Sequence, residues 1–311
     1  MSPVQAHGSR RPGQSPGPGK PRPPRRYSSS VLGLGAIGVV VVIVVALVIL
    51  KATNSSTNSS TSSSASPSTS LSTTGEISAP TSLISEVTGV SSSVAQAVGL
   101  PSSVTPPSML KGQQPLTLDG KPGAVYIGAE FCPYCAAERW AIVMAFSKFG
   151  TFSGLKETSS SRWDYAPSTA TFSFYGASYS SSLLTFEPVE AEGNDTNGAG
   201  TRQPLQKLTP TQSNLWATYS ARFGTAEGFP FLDIDNKVFV IGLSFDPTIL
   251  AGLSHSAIAA KLQNPKDPVT QAIVGSSNYL TAAICSVTDH QPTSVCETTA
   301  TVAAARALGT G

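Results

Sequence analysis

The sequence predicts an α/β sandwich in which helices flank a mixed central sheet, preceded by one transmembrane helix. Three features predict it. The apolar run Ala124-Val125-Tyr126-Ile127 leads through Cys132-Pro133-Tyr134-Cys135 into a helical pattern from Ala136 to Phe146. A second strand opens on Pro230, runs Phe231-Leu232-Asp233-Ile234, turns at Asp235-Asn236-Lys237 and returns as Val238-Phe239-Val240-Ile241. Val31 to Leu50 is an unbroken apolar run of 20 residues. At about 1.5 Å per residue it spans the roughly 30 Å hydrocarbon core of a bilayer.

Residues 1–30 are rich in Pro, Gly, Ser and Arg, with six basic residues and no acid. Such a segment cannot bury a core and reads as a disordered cytoplasmic tail. The run 31–50 reads as an anchor rather than a cleaved signal, because it is longer than a signal h-region and no A-x-A-like site follows it. Its basic flank puts the N-terminus in the cytoplasm and the C-terminal bulk outside the cell membrane. Residues 51–80 are dominated by Ser and Thr and read as a flexible linker. Residues 81–311 then form one domain of adequate size for a core. All 18 acids lie beyond the apolar run, against 13 basic residues after Lys51, a charge of about −5. That balance argues against nucleic acid as a partner. The lipid bilayer is expected as a partner through residues 31–50.

The spacing Cys132-x-x-Cys135 between a strand and a helix is suited to redox chemistry. A thiol at a helix N-terminus meets unpaired N–H groups and the positive end of the helix dipole, which favour thiolate. A second thiol one turn along can close a disulfide or resolve a mixed one. Two other readings stand beside it, half of a zinc site and an inert structural disulfide. Zinc needs a second closely spaced Cys or His pair, whereas Cys285 and Cys296 are far downstream and separated by ten residues. No metal and no other cofactor is expected.

The remaining elements follow from local pattern. Thr169 to Phe174 and Leu183 to Phe186 read as strands around Gly176, and Glu187 to Thr209 as a polar loop. Thr211 to Phe223, Thr248 to Leu262 and Pro268 to Val287 read as helices. Four cysteines allow three pairings. Cys132 with Cys135 and Cys285 with Cys296 is the favoured one, the second pair being a structural staple or, alternatively, a redox relay to the first. In an oxidising outer space such bonds persist. His255 on an apolar helix reads as packed.

Ala129-Glu130-Phe131-Cys132 and the Pro230-opened strand together resemble the thioredoxin superfamily, and the Pro133-Tyr134 dipeptide is the one typical of glutaredoxins. The resemblance implies a three-layer thioredoxin-like sandwich with Cys132 as an exposed nucleophile and Cys135 as a buried resolving thiol. It implies a cis Pro230 whose loop, with Phe229, Pro133 and Tyr134, meets the client. Two departures are visible. The superfamily's buried Asp is replaced by Tyr126, so Glu138 is a candidate for handling the Cys135 proton. And 94 residues, Ala136 to Phe229, separate the motifs, which implies an insertion. The layout also resembles the membrane-anchored family of domain of unknown function 929, through Gly128 to Trp140 and Phe149 to Leu155, over about residues 115–300. The function these resemblances imply is thiol–disulfide exchange with exported proteins and an unidentified redox partner. The alternative is a non-catalytic binding or scaffold module of the cell envelope.

Overall fold

The computed structural model describes residues 76–194 and 202–311. The tail, the Val31–Leu50 run and the linker up to residue 75 lie outside the described residues. Among the described residues, no helix is long and apolar enough to cross a membrane.

In chain order the elements begin β1 (Ile77–Ser78), α1 (Thr81–Thr88), α2 (Ser92–Val98), β2 (Ser108–Met109), β3 (Thr117–Leu118), β4 (Lys121–Gly128) and α3 (Pro133–Phe146). Then come β5 (Thr151–Ser153), β6 (Lys156–Ser159), β7 (Ala170–Ser173), β8 (Ser178–Ser180), β9 (Thr185–Glu190), α4 (Pro210–Arg222), β10 (Phe231–Ile234) and β11 (Val238–Ile241). A 3₁₀ turn, Pro247–Leu250, leads to α5 (His255–Lys261), α6 (Pro268–Cys285), α7 (Thr293–Cys296) and α8 (Thr299–Leu308).

β4 is the centre of the main sheet because both of its faces are apolar. Ala124 and Tyr126 face one core and Val125 and Ile127 the other, all fully buried. This is the alternation a two-sided strand requires. β4 pairs antiparallel with β10 (Phe231 opposite Ile127) and parallel with β9 (Ile127 opposite Val189), while β3 continues the β9 edge. The sheet order is β2-β11-β10-β4-β3, with β9 beside β4. Asp235 and Asn236, both at positive φ, close the β10–β11 hairpin. They are the central residues of a turn closed by the Lys237 N–H, which donates to the Ile234 carbonyl at 3.1 Å, and left-handed residues there match the twist of the strands.

Helices cover both faces. α3 and α6 pack over Ala124, Tyr126, Leu232 and Ile234. α4 lays Leu215, Trp216, Tyr219 and Phe223 over Val125, Ile127, Phe231 and Phe239. Each fully buried Phe or Leu of these layers contributes roughly 1.5–3 kcal/mol. α4 starts where the sequence supplies a start signal: Thr209 and Gln212 form a reciprocal capping box and Pro210 follows the cap. Between α3 and β9 the chain makes β5 to β8, which form two small sheets, β1-β6-β7 and β5-β8.

Three expectations are corrected. Thr248 to Leu262 is not one helix: Gly252 turns at positive φ, and Ser254 caps a new helix by accepting from the Ala257 N–H. The loop expected from Glu187 begins later, because β9 runs to Glu190, whose side chain is buried by an ion pair. Glu76, 1% exposed, and β1 already belong to the folded unit, within the segment read as linker.

Candidate functional site

Cys132 stands at the N-cap of α3, in extended backbone conformation, with Pro133 as the first helical residue. Proline loses nothing there, since that N–H has no partner within the helix. The Cys135 N–H donates to Cys132 Sγ at 3.4 Å, and the Cys132 thiol lies 3.8 Å from the Phe229 carbonyl oxygen. The Phe229–Pro230 peptide bond is cis, and β10 begins immediately after it. The structure therefore brings Cys132, Cys135, Pro133, Tyr134, Phe229 and Pro230 together from two segments far apart in sequence.

Both cysteines are free thiols. Cys132, expected as exposed, is buried at 4% exposure, and Cys135 is fully buried. Phe131, Tyr134 and Phe229 pack around the pair and account for this. Pro133 is buried in the first helical turn, which leaves Tyr134 as the outward residue of the dipeptide.

The two thiols have opposite electrostatics. The hydrogen bond from the Cys135 thiol holds Cys132 below the ordinary thiol range, against the opposing effect of burial; the Cys135 N–H and Arg139 act in the same direction as that bond. Burial pushes Cys135 well up, and its bond to Cys132 adds to that. The two thiols are thus shifted in opposite directions, Cys132 toward the thiolate and Cys135 toward the thiol.

Beneath them is a buried polar cluster that the sequence did not disclose. Arg139, fully buried, donates from Nε to Glu190 Oε1 (2.8 Å), from Nη2 to Glu190 Oε2, and from Nη2 to the Ala129 carbonyl (2.9 Å). Glu130 lies 4.0 Å from the same Nη2. Ser173 Oγ is 2.7 Å from Glu130 Oε1 and 2.9 Å from Glu76 Oε1, and Lys156 Nζ donates to Glu76 Oε2 at 2.9 Å. A hydroxyl has one proton to donate, so the second of these Ser173 contacts needs a protonated carboxyl. Glu130 fits that role, since burial raises its pKa against the pull of Arg139. The available signal was charge inside an apolar helix: Glu138 and Arg139 interrupt an otherwise apolar run, and such residues are rarely buried unless paired.

Glu138 does not serve Cys135. It is buried, its pKa is raised to about 7 by burial, and it is directed toward Ser244. The group beside Cys135 is Tyr126, whose fully buried hydroxyl interacts with that thiol and has no other partner.

Aromatic side chains surround Cys132. Phe229 is flanked by Phe131 (centroids 6.1 Å apart, edge-on) and Trp216 (5.2 Å, stacked). Tyr134 stacks on Tyr165 at 6.1 Å, from the loop between β6 and β7. That loop is fastened to the motif by the Ser161 N–H, which donates to the Phe131 carbonyl at 2.9 Å.

Cys285 and Cys296 are disulfide-bonded, with Cα atoms 5.6 Å apart. They lie at the other end of the sheet. Lys237, in the hairpin turn, donates to the Ser286 carbonyl at 3.2 Å, whereas Pro230 at the opposite end of β10 adjoins Cys132. Among the described residues no group of His, Cys, Asp and Glu could hold a metal ion. His255 Nε2 lies 2.8 Å from the Thr171 carbonyl and 2.9 Å from that of Thr158, a packed position.

Residues 108–286 match the profile of a family described as "Domain of unknown function (DUF929)". No curated protein and no solved structure matches the chain.

Proposed function

We propose that this chain, which belongs to the DUF929 family, is a membrane-anchored, extracytoplasmic thiol–disulfide oxidoreductase with a thioredoxin-like core. The observation that carries the reading is the placing of two free thiols 3 residues apart at the N-terminus of α3, Cys132 Sγ accepting from the Cys135 N–H and lying 3.8 Å from the Phe229 carbonyl oxygen, with Cys132 shifted toward thiolate and Cys135 away from it. Environments that push a titratable pair apart separate an attacking group from a resolving one. The strand order β11-β10-β4-β9, with a parallel β4-α3-β9 crossover and helices on both faces, supports a three-layer thioredoxin-like arrangement, β5 to β8 being its insertion. The apolar run 31–50 supports the anchor.

In the dithiol state the proposed reaction proceeds as follows. Cys132 thiolate attacks one sulfur of a client disulfide; the client S–S bond breaks, a Cys132–client bond forms, and the second client sulfur leaves as thiolate and takes a proton. Cys135 then loses its proton and attacks Cys132 Sγ. The Cys132–Cys135 bond forms, the client leaves as a dithiol, and two electrons have passed to it. The reverse sequence oxidises a client. Cys132 and Cys135 carry the exchange, Phe229 and Pro230 border the client, and Cys285–Cys296 is a staple.

The burial of Cys132 is the one observation favouring a non-catalytic scaffold instead. Reduction of insulin by the full-length protein with a dithiol reductant separates the two. The exchange reading expects catalysis that Cys132→Ser removes by at least about a hundredfold, since the attacking thiolate is gone. Equal rates for wild type and Cys132→Ser would leave only the scaffold.

A further inference from the structure

A cavity of about 170 Å³ lies at the end of α3 remote from Cys132, between α2, α6 and the C-terminal helices α7 and α8. Most of its lining comes from residues 90–95 and 294–301, outside the 108–286 family match. Lys148, two residues past the end of α3, is the one cation that lines it, and no acid does. Its Nζ donates to Thr281 Oγ1 at 3.0 Å, one turn along α6 from the lining residue Asn278. That hydroxyl is turned to accept, because its own proton goes to the Ser277 carbonyl at 2.7 Å. An ammonium has three protons to donate, and the ion pairs of the described residues leave Lys148 out. The end of α3 favours a cation, yet burial still pulls the Lys148 pKa down to about 8. A charge taken out of water calls for a partner of opposite sign. A tie between α3 and α6 would need neither a charge nor an open cavity beside it.

We infer that this cavity binds a small monocarboxylate with a short aliphatic body, its carboxylate on Lys148. One cation and no acid in the lining match a single negative charge. The rest of the wall has few protons to give. Both Asn278 amide protons are committed, to the Ala95 and Gly99 carbonyls at 3.0 and 2.9 Å. Thr301 donates to the Val295 carbonyl at 2.9 Å, which turns the Thr298 hydroxyl proton toward Thr301 at 2.8 Å. Phosphate, with four oxygens and more than one charge, would find too few donors here. Val90, Ala95 and Val295 supply apolar wall for an aliphatic chain. The volume, well under the roughly 300–1,000 Å³ of drug-sized pockets, sets the size of the occupant. Ser92 and Ser294, both exposed, leave the rim open to solvent. The site is at the far end of α3 from the thiols and stands whether or not they exchange disulfides.

The test is calorimetric titration of sodium butyrate, and separately of sodium phosphate, into full-length protein in lipid discs at neutral pH, with empty discs subtracted. Butyrate should bind with a Kd of about 1 mM or tighter. Lys148→Met should weaken it by at least about tenfold, the scale of one charge-assisted hydrogen bond. Saturating butyrate should raise the Tm of the wild type and leave that of Lys148→Met unmoved. Without butyrate, Lys148→Met should unfold no lower than the wild type, because it removes a charge that has no counter-charge. Ser92→Trp fills the rim and leaves Lys148 in place; it should weaken butyrate by a similar factor, and serves if Lys148→Met does not fold. No binding of butyrate, or binding that both variants keep, overturns the inference. Phosphate bound in place of butyrate overturns the monocarboxylate. A lower Tm for Lys148→Met, with no response of the wild type to butyrate, makes Lys148 a tie to Thr281 only.

Discussion

The two cysteine pairs occupy opposite ends of one sheet and opposite ends of two helices that pack against each other. Cys132 caps the N-terminus of α3, where its sulfur accepts from the Cys135 N–H; Cys285 is the last residue of α6, at the carbonyl end, where its own carbonyl accepts from the His290 N–H. The positive end of a helix dipole stabilises a thiolate and the negative end disfavours one. Two identical side chains are thereby assigned different chemistry. The first pair remains as thiols with divergent acidity, while the second is bonded across a sequence separation of 11 and closes the C-terminal helices onto the core. The lesson is that C-x-x-C spacing alone does not make a redox device. Which helix end receives the sulfur, and what is buried under it, decides.

The largest way to break this contrast is to remove what lies under the first pair. Arg139→Leu leaves Glu190 buried without its cation, and breaking a buried ion pair from one side costs about 3–5 kcal/mol. Urea denaturation of the full-length protein should show a loss of that order. A loss under about 1 kcal/mol would place this pair among those that contribute little, and would mean that the cluster does not hold the C-x-x-C end in place.

Next in size is the second pair. Cys285→Ala with Cys296→Ala releases a short loop and should lower stability by about 3 kcal/mol, as the chain-entropy account of such a loop gives. Insulin reduction per folded molecule should be unchanged. Exchange lost along with the bond would make the second pair a relay and dissolve the contrast drawn here.

Much of the site was legible in the sequence because it depends on local signals. A strand followed by Cys132, Pro133 and a helix needs only the N-cap and first-turn preferences to be read, and Asp235-Asn236 announces its hairpin. Of the favoured pairing among three, Cys285–Cys296 is bonded, whereas Cys132 and Cys135, expected as the other bond, stand as free thiols. What the sequence did not disclose depends on contacts between distant segments. Glu190 and Arg139 are 51 residues apart, and neither announces its partner. Glu187-Pro188-Val189-Glu190 reads as polar loop until burial against β4 makes it a strand. Tyr126 was visible as a departure from a family pattern, but its place beside Cys135 required the packing of β4 under α3. The exposed aromatics of the β6–β7 loop carried no periodic signal at all.

The central claim is that Cys132 is the acidic, attacking thiol and Cys135 the protected one, and alkylation against pH tests it most directly. Full-length protein with its first pair reduced is treated with iodoacetamide from pH 4.5 to 9, and each cysteine is followed by mass spectrometry. The Cys132 pKa is lowered, so its thiolate persists as pH falls and its labelling drops only when pH passes through the lowered value. The account predicts a Cys132 midpoint clearly under about 8.5, the value of an unperturbed thiol. Cys135, raised by burial, should stay unlabelled across the range. Labelling of Cys135 before Cys132, or a Cys132 midpoint at or above that of a free thiol, would contradict it.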